Sequence, residues 1–297
     1  MPDAAPSLPT VAQALRQALA QGLARIDAQV LLLHVMGRAT HERAWLLTHD
    51  DQVLTQAQAQ RYADLCTQRL DAVPVAYLTG RKEFFGLPLR VDARVLDPRP
   101  DTETLVEWAL ELLPENSPAR VLDLGTGSGA IALAVQSQRP QAQVLAADAS
   151  AAALTVAQAN AQALQLPVQF VQSDWLAQVS GHFDLILSNP PYIREDDPHM
   201  HALRHEPRQA LTSGADGLDD IRTIAQQAPA HLPPGAWLLL EHGWDQAEAV
   251  QTILRHAGFA AVGSRQDLAG QWRCTGGQWP GPAPTNPTAP TPKQTMK

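Results

Sequence analysis

The pattern of apolar and polar positions divides the chain into a helical segment and a longer segment in which strands and helices alternate. Over residues 1–72, apolar side chains recur at the spacing that buries one face of a helix. Gly37 is suited to end the second helix, and Thr40 to begin a short third one. Thr55 and Gln58, three residues apart, can form the capping box of a fourth. Residues 1–72 are therefore predicted to form a small all-helical domain.

The linker that follows, residues 73–98, contains two short apolar stretches on either side of Gly86. This arrangement predicts a β-hairpin between two domains. Next, Asp101 or Thr102 can cap a helix whose apolar stripe runs through residues 105–113. Acidic side chains in the first turn suit the positive end of the helix dipole. The sequence thus predicts a capped helix directly after the linker.

Short apolar runs alternate with helical patterns from residue 120 to residue 275. The predicted strands are 121–124, 144–147, 168–171, 183–187, 236–240, 259–263 and 272–275. Strands that alternate with helices build a parallel, doubly wound sheet. We therefore expect an α/β domain over residues 99–279.

The last residues differ in composition from the rest of the chain. Six of the eighteen residues in 280–297 are proline, and Thr, Ala, Gly and Asn supply most of the others. Such a segment has few large apolar side chains to bury and cannot offset the entropy of ordering its backbone. Residues 280–297 are therefore expected to form a disordered tail.

Charge and cysteine content narrow the function classes. The net charge is -8, and only three lysines occur, so a broad basic surface for nucleic acid is not expected. Cys66 and Cys274 are isolated, which predicts reduced thiols in a cytoplasmic protein and no zinc or other metal site. No apolar run approaches the length that spans a membrane. These features favour an acidic protein that acts away from membranes, without a nucleic-acid substrate.

A glycine-rich turn follows the first predicted strand of the sheet. Asp123, Gly125, Gly127 and Gly129 form the pattern D-x-G-x-G-x-G, which is tighter than the G-x-G-x-x-G of dinucleotide sites. A carboxylate at Asp123 would repel a pyrophosphate but would suit a cationic α-amino group. The turn therefore favours S-adenosyl-L-methionine as the ligand, with a purely structural strand-to-helix turn as the alternative.

Polar residues also close the next three strands. Asp148 can accept hydrogen bonds from both ribose hydroxyls of a nucleoside. Asp174 can accept from an adenine amino group, and the indole of Trp175 can cover the ring face. The carboxyl ends of parallel strands meet at one edge of the sheet. We therefore expect these residues to share a single crevice with Asp123 and with Asn189, which ends the fourth strand.

The stretch from Ser188 to Tyr192, Ser-Asn-Pro-Pro-Tyr, is the strongest candidate for the chemistry. Two prolines stiffen the chain as it leaves the fourth strand. The Asn189 side-chain oxygen and the Pro190 carbonyl are then two acceptors on a rigid frame, suited to a planar –NH2 group. Tyr192 adds an aromatic wall and a hydroxyl. An ordinary proline-rich turn is the alternative, and the loop accepts an amide or an exocyclic amine equally well.

Together these motifs resemble those of the HemK/PrmC-type protein-(glutamine-N5) methyltransferases, which modify the Gly-Gly-Gln motif of class I peptide chain release factors. The segments that carry the resemblance are 98–103, 123–129, 173–175, 188–192 and 240–243. The resemblance extends from about residue 8 to residue 276. It implies a Rossmann-like class I S-adenosylmethionine-dependent methyltransferase sheet, preceded by a helical domain that docks the protein substrate. Trp272, Cys274 and the proline-rich tail depart from the family pattern.

The resemblance also implies roles for individual residues. Those expected to contact S-adenosyl-L-methionine are Gly125, Thr126, Gly127, Ser128, Gly129, Asp148, Trp175 and Asn189, to which the residue chemistry adds Asp123 and Asp174. Those expected to hold the substrate glutamine are Asn189, Pro190, Pro191 and Tyr192, with Asn189, Pro190 and Tyr192 as the catalytic group. Catalysis is expected to depend on positioning, because no strong base is evident beside Asn189.

Three alternatives remain at this point. The same loop could methylate an exocyclic amine of adenine or guanine in nucleic acid, although the acidic net charge disfavours that substrate. A release-factor or ribosome binding module without activity is a second alternative, which the intact acids at the strand ends disfavour. The chain also contains its own Gly276-Gly277-Gln278, and coincidence is favoured over self-methylation.

Overall fold

The computed structural model describes residues 8–116 and 118–282 of the 297-residue chain. Its N-terminal helices are α1 (Val11–Ala20), α2 (Arg25–Val35), α3 (Trp45–Thr48), α4 (Gln56–Leu70) and α5 (Val75–Thr79). They pack around one apolar cluster that includes Leu31, Leu65 and Leu78. The predicted helical character is present, and Thr55 and Gln58 form the expected capping box. Gly37 follows the end of α2 with a φ of 67°, in the left-handed region that glycine tolerates.

One local prediction in this region is wrong, and one helix was not predicted. Thr40 does not begin the third helix, which starts only at Trp45. Glu42 accepts a hydrogen bond from the Ala39 N–H, and this contact stabilises a turn where the helix was expected. Helix α5 was not predicted at all. It forms because Leu78 is buried among the N-terminal helices and Pro74 precedes it, where a missing N–H is harmless.

The predicted hairpin is present as β1 (Arg81–Phe84) and β2 (Leu87–Arg90), joined at Phe85 and Gly86. Asn160 on helix α8 (Ala151–Leu164) accepts from the Arg90 N–H and donates to the Arg90 carbonyl, which ties the hairpin to the larger domain.

The expected cap of helix α6 (Glu103–Leu112) is absent, because neither Asp101 nor Thr102 accepts a hydrogen bond from the first turn. A 3-10 turn, Pro100–Thr102, precedes this helix. Thr102 has helical backbone angles, so its side chain cannot reach back as a cap does. Instead, Thr102 accepts from Asn189 Nδ2, and Asp101 pairs with Arg273.

The larger domain contains a seven-stranded sheet with the order β5-β4-β3-β6-β7-β9-β8. Its strands are β3 (Arg120–Leu124), β4 (Gln143–Asp148), β5 (Gln169–Gln172), β6 (Leu185–Ser188), β7 (Trp237–Glu241), β8 (Ala260–Gln266) and β9 (Trp272–Gln278). The expected parallel sheet is correct except for β9, which runs antiparallel to both neighbours. Only residues 267–271 join β8 to β9, and a connection this short closes a hairpin but cannot make a crossover.

Helices cover both faces of the sheet. Helix α7 (Ala130–Gln138) and α6 pack on one face, while α9 (Asp219–Gln227) and α10 (Ala247–His256) pack on the other. Strand β3 shows the alternation, since Val121 and Leu122 belong to opposite clusters. After β3 the chain adds β4 and then β5 on one side of that strand. It then returns and adds β6 on the other side of β3. This switch point opens a crevice between the carboxyl ends of β3 and β6.

The tail that was expected to be disordered lies outside the described residues from residue 283 onward. Among the helices within the described ranges, none combines the length and apolar character needed to cross a membrane.

Candidate active site

A cavity of about 240 Å³ lies at the carboxyl edge of the sheet, at the switch point between β3 and β6. The predicted site residues that line it are Gly125, Gly127, Asp148, Asp174, Trp175, Asn189 and Pro191. They come from the ends of four strands, so the fold brings together most of what the sequence predicted. Pro190 is buried between two residues that line the cavity and Tyr192 follows them; neither is part of the lining.

The glycine turn contributes backbone to the cavity wall. Gly125 and Gly127 have φ angles of 68° and 55°, in the left-handed region. Gly129 serves packing, because an added Cβ would lie 3.0 Å from the Leu133 side chain and 3.3 Å from Ala157. The side chains of Thr126 and Ser128 are buried behind the wall. Of the five turn residues, Gly125 and Gly127 line the cavity, and the cofactor contacts expected of all five stay a prediction.

Asp123 does not line the cavity wall, and its expected contact with an α-amino group stays a prediction. The residue is fully buried, and one carboxylate oxygen accepts from Thr126 Oγ1 at 2.6 Å and from the Ala132 N–H at 3.2 Å. Burial raises the pKa of Asp123 to about 7. Its side chain leaves β3 on the side of helix α7, whose N-terminal amides attract it. Asp123 therefore supports the turn from beneath.

Asp148 ends β4 and lies half-buried in the cavity wall. One oxygen accepts from the Gly127 N–H at 2.9 Å, and the other accepts from the Ser150 N–H at 2.8 Å. Burial raises the pKa of Asp148, and these two backbone hydrogen bonds oppose the shift. Each carboxylate oxygen keeps a further lone pair. The group can therefore accept two adjacent hydroxyls of a ligand while its own orientation is fixed.

Trp175 provides a flat wall of the cavity. Its backbone has a φ of 45°, a conformation that is uncommon for a bulky residue. The indole lies so close to Gly125 that a Cβ there would be 3.5 Å from the ring. Its Nε1–H donates to Asp220 at 3.0 Å, and Asp220 also lines the cavity. Asp174 is exposed at the rim, and Asp220 is a site residue that sequence reasoning missed.

The side chain of Asn189, which lines the cavity, is held by a residue outside the lining. Its Nδ2 donates to Thr102 Oγ1 at 3.2 Å, and its Oδ1 accepts no hydrogen bond from the described residues. Upstream, Ser188 Oγ donates to the Leu124 carbonyl at 2.8 Å and anchors the loop to β3. Pro190 is buried, and its carbonyl likewise has no donor within residues 8–116 and 118–282. Two acceptors in this loop are therefore free for a ligand.

Tyr192 extends toward strand β7. Its hydroxyl donates to Glu241 Oε1 at 3.4 Å, and its backbone carbonyl accepts from Gln246 Nε2 at 3.0 Å. Glu241 ends β7 and is fully buried, which raises its pKa to about 7; Thr102 and the positive charge of Arg273 oppose the shift. Sequence reasoning gave Glu241 no role, although an acid at another strand end was a signal of the kind used for Asp148.

Arg273 supports the same corner of the site. Its guanidinium lies 3.1 Å from Asp101 and 3.3 Å from Asp267. It thereby joins the antiparallel strand β9 to the segment that precedes Thr102. Only the tertiary arrangement reveals this contact, because 172 residues separate the two partners by their numbers, 273 and 101.

The internal Gly-Gly-Gln tripeptide lies at the opposite end of the sheet. Gln278 pairs with Trp237, the first residue of β7, and donates its side-chain amide to the Gly235 carbonyl at 2.9 Å. A Cβ added at Gly276 would come within 2.3 Å of the Leu239 side chain. These glycines therefore allow close packing, and the folded chain cannot offer its own glutamine to Asn189.

Two family models match the chain in the regions just described. The PrmC N-terminal domain matches residues 10–80, and the methyltransferase small domain matches residues 102–217. The first covers the helical bundle, and the second covers the strands that supply Gly125, Asp148 and Asn189.

Full-length relatives agree with this division. A release factor glutamine methyltransferase from Xylella fastidiosa is 52% identical over 272 residues, which cover 90% of this chain and 98% of the relative. One from Burkholderia pseudomallei is 47% identical and covers 93% and 98%. A crystal structure of a methyltransferase from Pyrococcus furiosus shares the fold, with a TM-score of 0.53 at 19% identity over 75% of this chain and 99% of that one. The chain therefore belongs to the family of release factor glutamine methyltransferases.

Proposed function

We propose that the protein transfers the methyl group of S-adenosyl-L-methionine to the side-chain amide nitrogen, N5, of the glutamine in the Gly-Gly-Gln motif of class I peptide chain release factors. The proposal depends on the hydrogen bonding of Asn189 and Pro190. Thr102 holds its Nδ2, while its Oδ1 and the Pro190 carbonyl have no protein donor among the described residues. Two such acceptors match the two hydrogens of a primary amide.

The cavity fits the proposed cofactor. Asp148 has free lone pairs for the ribose hydroxyls, and Trp175 offers a fixed face for the adenine ring. Gly125 and Gly127 carry no side chains, which leaves space for a ligand beside their backbone. When bound, S-adenosyl-L-methionine would supply an electrophilic methyl group on a sulfonium. The exposed Asp174 at the rim remains a candidate acceptor for the adenine amino group.

Catalysis is proposed to depend on orientation. Asn189 and Pro190 accept both amide hydrogens, which favours lone-pair density on the nitrogen and directs it at the methyl group. A cofactor held by Asp148 and Trp175 would supply its methyl group to this nitrogen and leave as the neutral thioether. The methylated amide nitrogen would then lose its extra proton to water. Glu241 does not line the cavity, so its proposed contribution is to hold the loop.

A protein substrate also needs a docking surface outside the cavity. Residues 193–217 connect β6 to α9, and in this segment Arg204 contacts Asp71 at the end of α4 at 2.6 Å. Glu206 in the same segment pairs with Arg99 at 2.6 Å, and the adjacent Pro207 lines the cavity. We therefore propose that the helical domain and this segment together orient the release factor.

An exocyclic amine of a nucleobase is the second candidate substrate, because the two acceptors fit it as well. An rRNA methyltransferase from Thermus thermophilus, solved with S-adenosylmethionine (AdoMet) and guanosine, shares the fold at a TM-score of 0.52 and 20% identity, covering 67% of this chain and 49% of that chain. The net charge of -8 argues against a nucleic-acid backbone as the docking partner.

The two buried free thiols support a cytoplasmic site of action.

A competition assay tests the proposal. One preparation receives labelled cofactor together with a release factor, its Gln→Ala variant in Gly-Gly-Gln, and bulk DNA and RNA. We expect label in the wild-type release factor alone. Label in nucleic acid, or equal label in the Gln→Ala variant, would overturn the proposal.

A further inference from the structure

The amide of Asn189 can adopt two orientations of nearly the same shape. Rotation by half a turn exchanges Oδ1 with Nδ2, and only one orientation presents an acceptor to the cavity. In the structure Nδ2 donates to Thr102 Oγ1 at 3.2 Å, and Thr102 is only 3% exposed. Water therefore has little access to this contact, and the Thr102 hydroxyl is the group that faces the amide nitrogen.

A threonine hydroxyl alone cannot make that choice, because it both donates and accepts. With its hydrogen free, it could equally donate to Oδ1 of a flipped Asn189. The choice requires a second acceptor that occupies the hydrogen. Glu241 can supply that acceptor. Its Oε2 is buried and has no hydrogen-bond partner within the described ranges. The carboxyl also lies close enough to the Thr102 hydroxyl for that group to oppose the rise that burial causes in its pKa.

We call the series Glu241, Thr102 and Asn189 the orientation relay. The sheet holds its two strand-end members, Asn189 and Glu241, next to each other. Strands β6 and β7 are parallel neighbours, with Ser188 paired to Leu240. Asn189 and Glu241 are the next residues along the two strands. Glu241 Oε1 also receives the Tyr192 hydroxyl at 3.4 Å. The buried carboxyl of Glu241 thus contacts the Tyr192 end of the loop directly, while Thr102 contacts the Asn189 end.

We infer that Thr102 and Glu241 are positioning residues that lock the Asn189 amide with its oxygen toward the acceptor site. Glu241 occupies the Thr102 hydrogen, so the Thr102 oxygen can only accept, and it accepts from Asn189 Nδ2. The role needs an acceptor oxygen at position 241 but does not depend on a charge there. A protonated carboxyl group also keeps one acceptor oxygen. The inference rests on the proposed role of Asn189 in holding the substrate amide.

Two substitutions at position 102 separate orientation from packing. T102V keeps the shape of the side chain and removes the hydroxyl, while T102S keeps the hydroxyl. We expect T102V to lower kcat roughly 10- to 100-fold, the scale of a misoriented catalytic group. T102S should remain within about threefold of the wild type, and cofactor affinity should change less than about threefold in both. T252V, an exposed threonine on α10, is the matched control and should change nothing.

Position 241 tests the other half of the relay. E241Q retains an acceptor oxygen and should keep most of kcat, while E241L removes it and should approach the loss in T102V. If E241L fails to fold, the two substitutions at position 102 still decide the question. An E241Q enzyme as impaired as E241L would overturn the claim that an acceptor is what position 241 supplies.

A double-mutant cycle gives the sharpest test, measured as single turnovers with labelled cofactor. If Thr102 acts only through Asn189, T102V should cause no further loss in an N189A background. Losses that multiply, or a T102V enzyme with the wild-type kcat, would overturn the inference. Each assay uses whichever acceptor the wild type labels. A wild type that labels no release factor would refute the proposed function, whereas normal labelling by T102V would refute only the orientation relay.

Discussion

The two halves of the site are held in different ways. On the cofactor side, Asp148 is fixed by backbone N–H groups of Gly127 and Ser150, which lie in the adjoining turns. On the acceptor side, Asn189 is fixed by Thr102, which is 87 residues away, and Tyr192 contacts Glu241, 49 residues away. Asp148 is therefore held by main-chain groups of two turns. The acceptor side is assembled from side chains that only the fold brings together.

This difference separates what each half should control. Backbone contacts form whenever the turn forms, so the cofactor side should tolerate change elsewhere in the chain. Side-chain contacts across the sheet depend on register and packing, so the acceptor side should respond to distant substitutions. Affinity for the cofactor and turnover of the substrate are the two measurements that distinguish them.

The largest effect is expected for N189A, which removes the acceptor aimed at the substrate amide. We expect kcat to fall roughly 100- to 1000-fold, as for removal of one positioned polar group in other active sites. Cofactor affinity, measured by calorimetry, should change by less than about threefold. A large loss of cofactor affinity with an unchanged kcat would place Asn189 on the cofactor side. It would contradict the division of the site into a cofactor side and an acceptor side.

D148A should produce the opposite pattern. It removes a carboxylate proposed to accept two ribose hydroxyls, and such charge-assisted hydrogen bonds contribute on the order of 1.5–3 kcal/mol. We expect cofactor affinity to fall by roughly 10- to 100-fold, with kcat at saturating cofactor reduced far less. D174A, at the exposed rim, is the matched control with a smaller expected loss. Equal affinity in D148A and the wild type would contradict the assignment.

The buried carboxyl beneath the cofactor side should make stability depend on pH. Burial raises the pKa of Asp123 from 3.8 to about 7 in the folded state. Between those values the folded protein binds more protons than the unfolded chain, so stability falls as pH rises. The contribution of Asp123 should decrease by about 2 kcal/mol between pH 5 and pH 7.

Denaturant unfolding of the wild type and D123N at pH 5, 6 and 7 measures this contribution. Because D123N cannot titrate, the stability difference between the two proteins should shift in favour of D123N as pH rises. E241Q is the matched variant on the acceptor side, since burial also raises the pKa of Glu241 to about 7. A difference between wild type and D123N that stays constant with pH would show that Asp123 does not titrate in this range.

The smallest effect is expected for D71A, which removes the contact between the helical domain and Arg204. The pair is exposed, and exposed ion pairs contribute little, so we expect the KM for a whole release factor to rise no more than about fivefold. Methylation of a short Gly-Gly-Gln peptide should not change, because the peptide does not reach the helical domain. Equal effects on the peptide and the whole factor would remove the docking role proposed for this contact.

The sequence by itself determined the local features of the fold. The alternation of apolar runs identified all seven strands of the main sheet, and the residues at the strand ends led to Asp148, Trp175 and Asn189 in one cavity. These predictions succeeded because strand ends and glycine turns are specified by neighbouring residues. A parallel sheet then forces the strand ends to one edge, whatever the distance between them along the chain.

Only the tertiary structure decided how those residues are used. Asp123 matched the expected pattern, yet its side chain leaves β3 beneath the turn, toward the amides of α7. Thr102 is a residue type that often caps helices, but here it binds Asn189. Glu241 is a partner of Tyr192 only because β6 and β7 are paired. The physical reason is the range of the interaction. A side chain's partner across a sheet depends on register and strand direction, and neither is written in the residues on either side of it.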